Sequence, residues 1–297
     1  FTVATGVRIP VGTPPKPAES RSCNESPAPA PGFFFSAAAR KMIHAWAWCP
    51  SQTGSAWRDM EAVFSVEAWS AFAPGLDGDA AWLAWSRAPW LPHGDDVPAL
   101  QEMAPMQRRR VERLGRAALQ VAWRCQPDDQ SDIPLVFATR HGDIGRTQLM
   151  LSELARDQAL SPTQFGLSTH NAIPAQYGIA RGLVGNYVVV SAGTASAEAA
   201  VIEAQALLAD GAPAVLVTVF DGPTPEDFAH FRDEPEAWYA WAWRVVPARD
   251  GLPTFSLRPG APKPPGDLPH GLEVLRFFLS GEHALPGAGG SGWMRHG

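Results

Sequence analysis

Asn186-Tyr187-Val188-Val189-Val190-Ser191 is a β-branched and aromatic run of strand length. The chain leaves it through Gly193-Thr194-Ala195-Ser196 directly into an alanine-rich helical pattern that closes at Gly211. A strand that becomes a helix within a few small residues commits this part of the chain to a βα unit, strand and helix packed back to back. The elbow places Thr194 at a helix N-terminus, where free N–H groups and the helix dipole favour a nucleophile, an anion or a carbonyl oxygen. A plain Ser/Thr N-cap has the same appearance.

The same alternation continues on both sides. Residues 133–138 read as a buried strand that breaks at Thr139-Arg140-His141-Gly142-Asp143-Ile144-Gly145 before a helix over 146–157, and residues 214–220 read as another buried strand. Strands alternating with helices predict βαβ units: an α/β fold with a mostly parallel mixed sheet covered by helices. Residues 238–247 and 252–258 read as strands joined by Ala248-Arg249-Asp250-Gly251, where Asp-Gly predicts a closing antiparallel C-terminal hairpin. Phe64, Val66 and Ala68 give an alternating strand, and the rings of Trp69, Trp82, Trp85 and Trp90 belong to a core or a buried interface. A helix from Met106 carries an apolar stripe of Val111, Leu114, Ala118, Leu119 and Ala122, with Arg108-Arg109-Arg110 on its other face. A short amphipathic helix is expected over 271–280.

Composition limits the function. A net charge of −6 and a pI near 5.8, with one arginine cluster, disfavour a partner that is tracked through its phosphates, so no nucleic acid is expected. Cys23, Cys49 and Cys125 are far apart with no CxxC or Cys/His ligand spacing, which supports neither a disulfide framework nor a metal site, and a reducing cytoplasm fits. No cofactor is expected; GxxxxGK[ST] and a strand-linked GxGxxG are both missing. No apolar run reaches the ~18 residues that span a bilayer. Pro10, Pro14, Pro15, Pro17, Pro27, Pro29 and Pro31 predict a disordered extension over 1–58. Because Met42 and Met60 both precede more protein-like text, this arm reads either as sequence upstream of a natural start or as a targeting arm. The folded domain is expected over 60–285, with a Gly-rich, frayed tail at 286–297.

Ser161-Pro162, Asn171, Gly182, Gly185, the Val188-Val189-Val190 strand and the closing Gly211 fall in the order seen in one family, and Asn171 and Thr194 stand 23 residues apart. The stretch resembles the N-terminal half of the β-ketoacyl-acyl carrier protein synthases, of the thiolase-like superfamily. The resemblance implies a thiolase-like half-fold in which Thr194 fills the position of the nucleophilic cysteine. It implies that His141 gates an acyl pocket across a subunit interface, although a loop histidine hydrogen-bonding locally would read the same. It also implies that Tyr187, Val188, Val189 and Val190 pair with a second subunit. Pro174 departs from the family pattern and is expected to break or kink the Asn171-bearing helix. The two histidine motifs of the family's second half do not occur, only 86 residues follow Gly211, and His230, His270, His283 and His296 stand in unrelated contexts. A threonine hydroxyl needs a dedicated base that the sequence does not position, so condensation by this chain unaided is not expected.

Phe165-Gly166-Leu167-Ser168-Thr169-His170-Asn171-Ala172, with the Phe-Ser-Val-Glu-Ala-Trp opening at Phe64, narrows the resemblance. The wording is similar to short synthase-like proteins of aryl polyene and xanthomonadin-type pathways, regarded as chain-length-factor-like partners of a full ketosynthase. Two functions follow. In the first, the chain is a non-catalytic subunit that docks on a full-length ketosynthase and shapes the acyl pocket with His141, Asn171 and Thr194. In the second, it is an acyl-transfer enzyme with Thr194 as nucleophile and His141 or His170 as base. An acyl carrier protein is a further expected partner, and the arginine face, if it is not simply solvated, is its acceptor.

Overall fold

In the computed structural model, residues 63–126, 133–260 and 266–296 are described; the extension expected over 1–58 lies outside them. One nine-stranded mixed sheet organises these residues. Its strands are β1 (Val63–Ala73), β2 (Leu76–Asp77), β3 (Leu135–Ala138), β4 (Tyr187–Val190), β5 (Val215–Asp221), β6 (Tyr239–Pro247), β7 (Thr254–Pro259), β8 (Ala284–Pro286) and β9 (Ser291–His296). They run in the order β4-β3-β5-β6-β1-β7-β9-β8, with β2 hairpinned onto β1.

The helices are α1 (Asp79–Arg87), α2 (Pro105–Arg108), α3 (Arg113–Cys125), α4 (Ile144–Ala155), α5 (Pro162–Leu167), α6 (Ala172–Arg181), α7 (Ser196–Ala209) and α8 (His270–Ser280). Alternate residues of the central strands feed two cores. Val136, Val217, Trp241 and Trp243 pack with α1, α7 and α8 on one face, and Phe137, Leu216, Phe220 and Ala242 pack with α3 and α6 on the other. The expected mixed sheet covered by helices is therefore present, but its parallel part is confined to β4, β3 and β5. Parallel neighbours need helical crossovers, and α4 to α7 supply them only between residues 138 and 215.

The expected hairpin is corrected. The Asp250-Gly251 turn forms, but β6 and β7 are not neighbours because β1 runs between them, with Phe64 opposite Pro247 on one side and Phe255 on the other. Polar contacts fix that insertion. Ser65 Oγ accepts from the Arg249 amide at 3.0 Å and meets Thr254 Oγ1 at 2.8 Å, and a bulge at Glu67 lets its carboxylate pair with Arg244 and Arg249. A local turn signal cannot exclude a third strand whose 11 residues offer apolar side chains to both faces.

Three further expectations change. The tail expected to be frayed forms β8 and β9, with six residues of β9 in register with β7 and Trp293 fully buried; its glycines make the tight turn between the two strands. The helix from Met106 is two pieces, because turn bonds from Arg110 to Gln107 and from Val111 to Arg108 interrupt it. The Arg116 guanidinium donates to the Val111 carbonyl at 3.1 Å and adds a second donor to the Arg108 carbonyl. Pro174 neither breaks nor kinks its helix: α6 starts at Ala172, so the proline is in the first turn, where no N–H has an intrahelical acceptor. Trp82 and Trp85 are core as expected, whereas Trp90 is 41% exposed. Among the described residues no helix is long and apolar enough to cross a membrane.

Candidate functional site

The parallel strands β3 and β4 end side by side, and the loops leaving them are tied together. The Thr139 amide donates to the Val190 carbonyl at 3.3 Å, and Ser191 Oγ donates to the Arg140 carbonyl at 2.6 Å. Carboxyl ends of parallel strands are where open α/β sheets place ligands. The elbow is built differently from the expectation. Gly193 turns left-handed, at φ 57°, and the Ala195 amide bonds back to Ala192. The hydroxyl that holds the turn belongs to Ser196, which donates to the Gly193 carbonyl at 2.7 Å and accepts from the Ala192 amide at 3.1 Å.

Thr194 therefore does not cap a helix. The N-cap of α7 is Ala195, without a side-chain cap, and the half-buried Thr194 hydroxyl forms no hydrogen bond among the described residues.

His141 and His170 meet at the same end of the sheet. Gly142 adopts φ 61°, its amide donates to Thr139 Oγ1 at 3.1 Å, and a Cβ there would stand 3.1 Å from His170 Nδ1, so glycine is what lets the two loops approach. Burial and then the Arg140 guanidinium lower the pKa of His141, leaving it neutral near pH 7 with a buried Nε2 that has no partner among the described residues. Burial of part of its ring also lowers His170, against a hydrogen bond to the Val190 main chain. Asn171 is exposed at the start of α6 and does not cap it. Thr194 contacts neither histidine through a hydrogen bond, so no nucleophile–base pair is assembled in this structure.

Beside the loops lies a cleft of about 420 Å³ between the first turns of α3 and α4. Leu114, Leu149, Met150 and Trp238 give it apolar walls, and Arg113 stacks on the Trp238 ring at 4.6 Å. The arginines are engaged: Arg146 pairs with Asp143 at 2.9 Å and Arg113 with Asp95 at 3.3 Å. The volume is within the range of small-molecule sites.

Sequence reasoning missed a chain of buried polar groups running away from this end of the sheet. Asp221 accepts from Thr139 Oγ1 at 2.9 Å and from the Arg140 amide at 2.8 Å, and burial pushes its carboxyl up to about 7. Arg140 pairs with Asp233 and, at 2.9 Å, with Glu234; the other oxygen of Glu234 accepts from the His270 amide at 2.9 Å. His270 Nε2 meets Glu198 Oε1 at 2.5 Å. The His270 context that looked unrelated is thus the end of a network, and its one sequence signal is Glu198, an acid on the buried side of an otherwise alanine-rich helix.

The family model for the β-ketoacyl synthase N-terminal domain matches residues 82–292. Among solved structures, 79% of this chain superposes on 99% of a chain in the ketosynthase (ApeO) in complex with its chain length factor (ApeC) from Xenorhabdus doucetiae, at 26% identity and a TM-score of 0.66; the matched chain is therefore shorter than this one. The ishigamide ketosynthase/chain length factor is matched over 66% of this chain and 67% of its own, at 17% identity and a TM-score of 0.53. A β-ketoacyl synthase from Burkholderia phymatum is matched over 67% and 65%, at 13% identity and a TM-score of 0.51. No curated protein matches the sequence. With a thiolase-like sheet, an elbow leading from β4 into α7, and a family match over most of its length, the chain belongs to the β-ketoacyl synthase family through that family's N-terminal domain.

Proposed function

We propose that this chain is a non-catalytic, chain-length-factor-like subunit that pairs with a full ketosynthase and shapes the pocket for the growing acyl chain, in aryl polyene or related fatty-acid-type biosynthesis. The observation that carries the proposal is the free edge of β4. Among the described residues the sheet ends there, and Tyr187, Val188, Val189 and Val190 offer an apolar strand with no charge, proline or bulge to discourage pairing; Tyr187 is 39% exposed. Leu149, Leu151 and Leu154 on α4, with Phe165 on α5, add exposed apolar surface. The likeness to a chain of a ketosynthase–chain length factor complex supports this reading of the edge.

His141, Asn171 and Thr194 then serve as pocket and gate residues, and the apolar cleft beside Asp143 offers space for the chain's distal end. The alternative, acyl transfer with Thr194 as nucleophile, lacks a hydrogen-bonded base at His141 or His170 on which to rest. Co-expression with the cognate ketosynthase, followed by light scattering, tests the pairing. A soluble heterodimer burying at least about 2,000 Å² is expected, with poorly soluble or self-associated protein when the chain is made alone. A stable monomer that co-purifies with no ketosynthase would overturn the proposal.

A further inference from the structure

The turn that carries His141 is held by one oxygen of one buried side chain. Asp221 is the last residue of β5, which pairs with β3 in the sheet. Its Oδ1 accepts from Thr139 Oγ1 at 2.9 Å and from the Arg140 amide at 2.8 Å. Thr139 Oγ1, its proton turned toward Asp221, accepts in turn from the Gly142 amide at 3.1 Å. These bonds fix the residues on both sides of His141. Arg140 is tied down further, because its carbonyl accepts from Ser191 Oγ at 2.6 Å and its guanidinium pairs with Asp233 and Glu234. His141 is placed through these neighbours, since its own Nε2 is buried without a partner among the described residues. Asp221 Oδ2 faces the Tyr239 hydroxyl at 3.3 Å and takes no part in the turn. What holds the turn is therefore a single acceptor oxygen, which a carboxyl, a carboxylate or an amide can supply.

We propose that Asp221 is the positioning residue of His141: through the Thr139 hydroxyl and the Arg140 and Gly142 amides, its Oδ1 sets where the imidazole stands at the carboxyl end of β3, and with it the length of acyl chain that is admitted. The last clause rests on the reading of His141 as a gate residue; the positioning itself stands without it.

Titration of the histidine tests its position. The full chain is made with histidine labelled with carbon-13 at Cε1, in the ketosynthase complex if pairing proves obligatory, and the His141 signal is identified by its loss in His141→Gln. Burial and then the Arg140 guanidinium hold the His141 pKa below the ordinary 6.5 while the turn is native. Asp221→Val and Thr139→Val each remove one member of the relay. Both are expected to move the titration up to about 6.5, so that about half of the imidazole is protonated at that pH. Asp221→Asn keeps the acceptor oxygen and Thr139→Ser keeps the hydroxyl, and both are expected to titrate as the native chain does. A residue that only stabilised the fold would leave the His141 titration in place. A titration unmoved in both valine variants therefore overturns the positioning role, and so does an equal shift in Asp221→Asn. The acyl products, read by mass spectrometry, are expected to broaden in Asp221→Val as in His141→Ala. Products that change in His141→Ala but not in Asp221→Val overturn the link to chain length. A shifted titration with products unchanged in both variants upholds the positioning and removes the gate alone, so the two failures are distinguishable.

Discussion

Deprotonating His270 is expected to loosen the polar chain that reaches from β3 to β9, and the size of the effect follows from its surroundings. Burial alone would lower the pKa of this imidazole, but hydrogen bonds to Glu198 and Glu273 raise it from 6.5 to about 9. The folded state therefore holds the proton more tightly than the unfolded chain. The resulting stabilisation is fully present below about pH 6.5 and is lost as pH rises through about 9; at ~1.4 kcal/mol per unit it amounts to about 3 kcal/mol. Asp221 acts in the same direction lower on the scale. Burial raises its carboxyl from 3.8 to about 7 despite the bonds from Arg140 and Thr139, so its neutral form is favoured and ionising it costs about 4 kcal/mol between about pH 4 and 7. Glu203 and Glu234, also raised by burial, add to the trend.

Stability measured by urea unfolding is thus expected to fall steadily from about pH 5 to about pH 9, whereas many domains are most stable within that window. His270→Gln should flatten the profile between about pH 6.5 and 9. Near pH 6 it should cost about 3–5 kcal/mol, because Glu198 is left as a buried charge without its partner. Asp221→Asn should flatten the lower part instead. A wild-type stability maximum near pH 8, or an unchanged slope in His270→Gln above pH 6.5, would refute the reasoning.

Other substitutions separate the roles assigned around the elbow. Thr194→Ala should change unfolding stability by less than about 0.5 kcal/mol, whereas Ser196→Ala should cost about 1–3 kcal/mol, since it strips a buried hydroxyl that serves two main-chain groups. Val189→Lys should abolish co-purification with the ketosynthase while leaving far-UV circular dichroism unchanged; retained pairing would remove β4 from the interface. If His141 gates the pocket, His141→Ala should lengthen or broaden the acyl products and His141→Trp should shorten them by mass spectrometry, and an unchanged distribution in both would remove it from the gate.

Elements written in local pattern were legible. The strand β5 reads as an apolar run interrupted by Thr218 and ending at Asp221, and all seven of its residues are buried; the stripe of α3 shows in its spacing, and Leu114, Ala118, Leu119 and Ala122 are core. What depended on distant partners was not legible. The turn at Asp250-Gly251 is a true local signal, yet the strand that fills the hairpin arrives from residue 63. At the elbow, three small residues and two hydroxyls in succession satisfy the same cap pattern, and only the backbone geometry selects Ser196 over Thr194. Glu198 and His270 are 72 residues apart, and no periodicity links an acid inside an alanine-rich helix to a histidine that follows a proline. Glycine-rich sequence in the tail resembles disorder until a tryptophan such as Trp293 is given a place to bury.

The insertion of β1 between β6 and β7 also bears on how this protein is made. Ser65 is bonded to Thr254, 189 residues further along, and both long neighbours of β1 lie in the last quarter of the chain. At about 5–20 residues per second, a ribosome needs roughly 10–40 s after making β1 before its partners exist. During that interval an 11-residue strand with Phe64, Val66, Ala71 and Phe72 on it has no sheet to join. Such long-range pairing folds slowly and leaves a sticky nascent segment. The yield of folded protein is accordingly expected to depend on chaperone supply and translation rate, and slower expression at low temperature with added holdase is expected to favour recovery of the chain.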